Sequence, residues 1–196
     1  MKKRTAFIGA ILSLIPLGHP LMIKTSLVLS TTGLILSVPN KVNSESADYY
    51  IDRADKKFND KDYYGAISEY NRALKINPYS VYALSRIGRS KYYLQDYKGA
   101  LQILDNAVKM DENYKFSFVI RGDIKFALGD YYGAISDYNK SIKIDSNDPF
   151  PYYFRGLAKK EIGDFNGACS DMKRSLKFSK INEMKEVLNR WIKYNC

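Results

Sequence analysis

Apolar and polar positions alternate along most of this chain with the spacing of amphipathic helices. In the first such segment, Tyr50, Ala54 and Phe58 fall at intervals of four residues and therefore lie on one helical face. The segment 63–76 spaces its apolar residues in the same way, and it ends before Asn77-Pro78, where proline cannot continue a helix. Later segments follow the same scheme, so the pattern predicts pairs of helices separated by short polar turns.

The helical pattern repeats at one constant interval along the chain. The stretch Asp62–Asn77 returns as Asp130–Asp145, and weaker copies begin at Asp96, midway between these two, and at Asp164. Because glycine in a helix costs about 1 kcal/mol relative to alanine, its recurrence at one place indicates close packing of two helices. The small residues that recur are Ala54, Gly88, Gly122 and Gly156 in the first helices, and Ala66, Ala100, Ala134 and Ala168 in the second helices.

Acidic residues stand where each second helix should begin. Asp96 is one of them, and Gly129-Asp130 and Gly163-Asp164 lie at the same phase of the repeat. An aspartate side chain at the start of a helix accepts a hydrogen bond from a backbone amide of the first turn. We therefore expect these aspartates to cap the second helices.

This pattern resembles the tetratricopeptide (TPR) family over residues 47 to about 180. The small residues above carry the resemblance, together with a large residue followed three positions later by a small one. The family implies an all-α, right-handed α-solenoid of helix pairs closed by a capping helix. A helix-ending proline occurs only as Pro78, and Glu112 and Ser146 hold the equivalent places. The large and small residues are Tyr70/Ala73, Leu104/Ala107, Tyr138/Ser141 and Met172/Ser175, and the expected divisions are repeats at 47–80, 81–114, 115–148 and 149–180 with a cap at 181–196.

Residues 1–46 differ from the repeats. The chain begins with Met1-Lys2-Lys3-Arg4, and two apolar runs follow within residues 6–38. A basic start before an apolar region is typical of a secretory signal, and cleavage after Val42-Asn43-Ser44 would leave a polar mature chain. Two apolar runs also fit a retained membrane anchor or hairpin, although Pro16 and Pro20 interrupt a spanning helix. Both interpretations predict an exported or membrane-anchored domain, and the chain then resembles small bacterial TPR proteins of that kind. A buried or cytoplasmic use of the segment is the third alternative.

The net charge of +10 is shared between this segment and the repeats. Residues 1–44 contain five basic residues and no acid, so the remainder has 31 − 5 = 26 basic against 21 acidic residues, or +5. Such an excess on a helical domain is usually a solvated surface. A basic, tyrosine-rich repeat that stacks single-stranded nucleic acid on Tyr92, Phe126 or Tyr153 is an alternative function. Export argues against it.

The residues that catalysis or metal binding requires are scarce. His19 is the single histidine and precedes the repeats, no glycine-rich phosphate loop occurs, and the glycines follow the repeat spacing. The acidic residues lie mostly in turns and on polar helix faces. We therefore expect a non-enzymatic protein with no cofactor and no metal site.

Partner binding is expected where the first helices differ between repeats. In TPR proteins the first helices line a concave groove that takes an extended peptide or a partner helix. Aromatic side chains provide large contact areas at low entropic cost, which suits such a surface. The predicted groove residues are Tyr82, Ser85, Arg89, Tyr92, Phe116, Val119, Asp123, Phe126, Phe150, Tyr153 and Leu157; for each, packing between repeats is the alternative role.

One specialised groove is not expected. Some TPR domains bind the C-terminal carboxylate of chaperones through a clamp of Lys, Asn and Arg side chains. Here Ile51, Asp55, Ile120 and Phe150 occupy places that such a clamp needs, and Arg89 is the one matching basic residue. The sequence therefore argues against binding of a chaperone tail.

Cys169 and Cys196 are the only two cysteines. Counted from a turn near Lys180, they lie about 16 Å and about 24 Å along helices expected to run antiparallel. In an exported protein an even number of cysteines favours a disulfide, and the Ala-Cys-Ser-Asp run with a terminal cysteine resembles the ending of small exported TPR proteins. A buried thiol at Cys169 with an idle one at Cys196 is the alternative, and two cysteines alone make a poor zinc site.

Overall fold

A computed structural model describes residues 29–30, 33–34 and 46–196. Contacts between Cα atoms divide the chain into two units, Met1–Ser44 and Glu45–Cys196. In the first unit, β1 (Leu29–Ser30) pairs with β2 (Gly33–Leu34) in antiparallel register. The expected signal or anchor at 1–46 otherwise lies outside the described residues.

The second unit is helical, and its elements follow the expected pairs. The helices are α1 (Ala47–Asn59), α2 (Tyr63–Ile76), α3 (Val81–Tyr93), α4 (Tyr97–Met110), α5 (Lys115–Ala127), α6 (Tyr131–Ile144), α7 (Pro149–Glu161), α8 (Phe165–Phe178) and α9 (Asn182–Asn195). Each second helix packs against its own first helix and against the first helix of the next pair, and α9 packs on α8. The predicted α-solenoid of four helix pairs with a closing helix is therefore confirmed.

Aspartate caps start the second helices. Asp96, Asp130 and Asp164 each accept a hydrogen bond from the backbone amide three residues later, at 2.8–2.9 Å. These bonds confirm the predicted caps, which satisfy amides that have no partner within the helix. They also explain the glycine at that third position, because a Cβ on Gly133 would lie 2.0 Å from a carboxylate oxygen of Asp130.

The core lies between the helices of each pair. Ala66, Ala100, Ala134 and Ala168 are fully buried. The small residues of the first helices lie against large side chains of the second, since a Cβ on Gly122 would come within 2.7 Å of the Tyr138 ring. The small residues of the first helix and the large residues of the second, which recur at constant spacing in the sequence, therefore contact each other and hold each pair together.

Candidate functional site

The first helices form one continuous face. α3 contacts α5, and α5 contacts α7, so successive first helices lie side by side. We call this surface the concave face, because first helices line the concave side in TPR proteins. Their second residues, Tyr82, Phe116 and Phe150, are 36%, 48% and 43% exposed and recur once in each repeat. Three aromatic side chains thus follow one edge of the concave face.

Most of the other predicted groove residues lie on the same helices and are partly exposed. Arg89 is exposed on α3, where its guanidinium carbon lies 5.9 Å from the centre of the Phe58 ring. The remaining ones are half-buried: Tyr92 on α3, Val119, Asp123 and Phe126 on α5, and Tyr153 and Leu157 on α7. The structure therefore gives the concave face a mixture of aromatic, aliphatic and charged groups.

Ser85 does not belong to this surface. Its side chain is only 1% exposed, and its Oγ lies 2.7 Å from the Oγ of Ser117 on α5. Two small hydroxyl residues that hydrogen-bond to each other allow α3 and α5 to approach closely. The prediction that places Ser85 in the groove is therefore wrong, and the residue packs between repeats.

A polar network on the concave face joins the first two pairs. Asp55 on α1 accepts hydrogen bonds from the hydroxyls of Tyr70 and Tyr82, the latter at 2.6 Å, and from Arg86 Nε at 3.0 Å. The Arg86 guanidinium also stacks 4.0 Å above the centre of the Phe58 ring. Burial, followed by the hydrogen bond to Asp55, raises the pKa of Tyr82 to about 12, so its hydroxyl keeps its proton into alkaline solution.

An aromatic cluster continues this surface toward the other end of the first helices. The ring centres of Tyr63 and Tyr93 are 4.8 Å apart and stacked, and Phe58 meets both rings edge-on at 5.4 and 5.7 Å. Tyr92 joins the cluster with its ring centre 5.5 Å from that of Tyr93 and 5.9 Å from that of Tyr97. Such pairs contribute roughly 0.5–1.5 kcal/mol each, so the rings of this cluster, which we call the tyrosine platform, support one another.

In each of the last two helix pairs, ion pairs hold the first helix against the second. Arg121 and Lys125 on α5 both bind the buried carboxylate of Asp137 on α6, at 2.6 and 2.8 Å. Arg155 and Lys159 on α7 bind Asp171 on α8 in the same way. Sequence reasoning assigned such aspartates to turns and solvated faces and missed these ion pairs. The available signal was the recurrence of an arginine and an aspartate at one fixed separation in two successive repeats.

The two cysteines lie together at the closing end of the solenoid. The structure joins Cys169 on α8 to Cys196, which follows α9, in a disulfide with the Cα atoms 5.8 Å apart. α9 buries Leu188 completely against the preceding helix, while Val187 on its other side is 52% exposed. The disulfide thus fixes the free end of a helix that contributes few buried side chains.

Within residues 29–30, 33–34 and 46–196, no group of three or more His, Cys, Asp and Glu side chains is placed to hold a metal ion. Their helices also include none that is both long and apolar enough to cross a membrane.

Comparisons with known proteins agree with this geometry. Residues 122–163 match the family model of the TPR repeat. A crystal structure of MamA protein is 23% identical, covers 76% of this chain and 88% of its own, and superposes with a TM-score of 0.61. TTC0263, a thermophilic TPR protein in Thermus thermophilus, is 19% identical, covers 76% and 82%, and superposes with a TM-score of 0.68.

A third solved structure contains a ligand. It is the first TPR of Spaghetti (RPAP3) bound to the HSP90 peptide SRMEEVD. It is 20% identical, covers 61% of this chain and 95% of its own, and superposes with a TM-score of 0.58. Comparison with curated proteins gives no match.

Proposed function

We propose that this chain, a tetratricopeptide-repeat protein by its repeat match and fold, is a non-enzymatic scaffold whose concave face binds an extended peptide or a segment of a partner protein. The observation that carries the proposal is the column of exposed aromatic side chains, Tyr82, Phe116 and Phe150, on successive first helices. Exposed aromatics that recur at a fixed interval mark an interaction surface, and Tyr82 presents its ring there while its hydroxyl is held by Asp55. A structure of a TPR bound to a peptide supports the same use of the fold.

The part of the groove that best suits an anchor lies on α3. Arg89 is exposed there, and Tyr92 is half-buried beside the stacked tyrosine platform. Arginine and tyrosine on a rigid support are the residue types that dominate binding energy at protein interfaces. We therefore assign the main contacts of a partner segment to these two side chains.

The test is selection of a random phage-displayed peptide library on the purified full chain. Arg89→Glu combined with Tyr92→Ala should abolish binding of the selected peptides while the circular dichroism spectrum stays unchanged. A matched control makes the same kind of change on a second helix, Lys140→Glu with Tyr132→Ala, where both side chains are exposed. Peptides that still bind the folded α3 variant would overturn the assignment of the groove.

Nucleic-acid binding is the alternative, and the proposed export of the domain weighs against it. Cations and rings do share the first helices, since Lys91 ends α3, Lys125 ends α5, and exposed Arg89 lies on the same helix as Tyr92. Stacking of single strands requires cations and rings along one path. If this alternative holds, affinity for oligonucleotides will fall steeply with salt and will be lost in Tyr92→Ala.

We further propose that the domain works outside the cytoplasm or at a membrane. The support is the sequence of residues 1–46, with its basic start and two apolar runs. N-terminal sequencing of the mature protein, after separation of membrane and soluble fractions, tests this. A new N-terminus at Glu45 indicates cleavage, an intact N-terminus in the membrane fraction indicates an anchor, and an intact soluble protein contradicts the proposal.

A further inference from the structure

Two aspartates on the concave face occupy equivalent positions. Asp55 and Asp123 are each the ninth residue of a first helix, two repeats apart. Each accepts a hydrogen bond from a tyrosine of its own second helix, Tyr70 for Asp55 and Tyr138 for Asp123, the latter at 2.8 Å. The repeat thus provides an internal comparison between two carboxylates in the same local setting.

The two carboxylates differ in the partners that the following first helix supplies. Asp55 also binds Tyr82 and Arg86, which are the second and sixth residues of the following first helix. The residues equivalent to these, after Asp123, are Phe150 and Phe154. Phenylalanine has neither a donor nor a charge, so the following repeat supplies Asp123 with no polar partner.

The Asp123 carboxylate is therefore left with one hydrogen bond. Within the part of the chain that the structure describes, the hydroxyl of Tyr138 is its single hydrogen-bond donor, and no cation lies within ion-pair distance. A desolvated carboxylate without a directly bonded cation is unfavourable and is stabilised when a cation binds it. The residue is half-buried on α5 and is not completely enclosed.

The groups that face Asp123 come from three helices. α3 contributes Arg89, whose positive charge acts at longer range, and Tyr92; α6 contributes Tyr138. α7 contributes the uncharged ring of Phe154, which stacks 6.0 Å from the ring of Tyr138. Burial raises the pKa of Asp123 to about 6, against lowering by the Tyr138 hydroxyl and Arg89, so the side chain is mostly ionised at and above neutral pH.

We propose that Asp123 receives the charged end of a lysine or arginine side chain of the partner segment, with the aromatic and aliphatic groove around it covering the methylene stem. This inference rests on the proposed function and names the partner's chemistry at one place. Acidic groups accept such cations in charge-assisted hydrogen bonds, which are about twice as strong as neutral ones. In the first repeat Arg86 of the chain itself already occupies the corresponding place beside Asp55.

Selection of a random phage-displayed dodecapeptide library on the full chain at pH 7.5 tests the proposal. Binders that depend on the groove should share a lysine or arginine at one position. A synthetic binder should lose at least about tenfold in affinity when that residue becomes norleucine, which keeps the stem and removes the charge. Asp123→Asn should bind both peptides equally, whereas Asp52→Asn, an exposed change of the same charge on α1, should keep the difference.

A measurement on the unsubstituted protein tests the proposal without depending on whether Asp123→Asn folds. Carboxyl ¹³C NMR should show that the lysine peptide lowers the pKa of Asp123 and that the norleucine peptide does not. At pH 5 the preference for lysine should largely disappear, because Asp123 is then mostly protonated. Groove-dependent binders without a basic residue, or an unchanged pKa with the lysine peptide, would overturn this inference alone. If no peptide depends on Arg89 and Tyr92, the proposed function itself fails.

Discussion

Alanine substitution of equivalent glycines in the first helices should have unequal effects, although the sequence treats the positions alike. A Cβ on Gly122 would lie 2.7 Å from Cε1 of Tyr138 and 3.1 Å from two further ring atoms. A Cβ on Gly156 would lie 3.0 Å from Cε of Met172, the last atom of a flexible side chain, and 3.3 Å from the backbone oxygen of Ala168. The two sites therefore differ in what must move.

The magnitudes follow from two opposing contributions. Replacing glycine by alanine in a helix interior raises the unfolding free energy by about 1 kcal/mol. Forcing a methyl group into a packed core lowers it by about 1–3 kcal/mol. Tyr138 is 1% exposed and its hydroxyl is held by Asp123, so its ring cannot yield and Gly122→Ala should lose about 1–2 kcal/mol of unfolding free energy. Met172 is also fully buried, but only its terminal methyl has to turn, and the Ala168 carbonyl at 3.3 Å has to yield a few tenths of an ångström, so Gly156→Ala should cost less than Gly122→Ala, about 0–1 kcal/mol.

Urea denaturation of the full chain, followed by circular dichroism at 222 nm, measures the difference. Equal slopes with denaturant are required for the comparison, because a solenoid that unfolds in parts gives a lower slope. Equal destabilisation by the two substitutions, or no effect of Gly122→Ala, would refute the packing argument. In that event the glycines would be retained for some reason other than the Tyr138 ring.

Three further outcomes are expected. Asp137→Ala should lower the unfolding free energy by about 3 kcal/mol, because it leaves the partly buried cations Arg121 and Lys125 without their shared carboxylate. Asp105→Ala removes only the exposed partner of Arg121, so it should cost under about 0.5 kcal/mol. Urea denaturation measures both. Since the pKa of Asp123 is raised from 3.8 to about 6, the folded protein holds a proton that the unfolded chain releases, so stability should fall as pH rises from about 4 to 6, and Asp123→Asn should remove that loss. Thiol titration of the unreduced protein should find no free thiol; two would contradict the bond between Cys169 and Cys196.

The scaffold could be predicted because each of its requirements repeats. Gly122 and Tyr138 contact each other for the same reason as their counterparts in other repeats, and the constant interval between repeats makes that reason visible. The aspartate caps are equally local, since Asp130 bonds an amide three residues away. Contacts within one helix pair are therefore within reach of sequence reasoning.

Contacts between repeats were harder to predict because they depend on how closely neighbouring first helices approach. Ser85 lies at a groove position by phase, yet a serine at the facing position of α5 draws it into the interface. The partners of an aspartate likewise depend on two residues of the following first helix. These residues are hydrogen-bond donors after Asp55 and phenylalanines after Asp123. Phase alone does not distinguish these outcomes, whereas comparison of cross-repeat neighbours does.

Hydrogen–deuterium exchange of the full chain with a library-selected peptide tests the central claim most directly. If the concave face binds the partner segment, amide exchange should slow in the first helices α3, α5 and α7 and remain unchanged in the exposed turns of α4 and α6. The protection should vanish when Arg89→Glu and Tyr92→Ala are combined. Protection confined to the second helices, or protection that survives in this variant, would contradict binding in the groove.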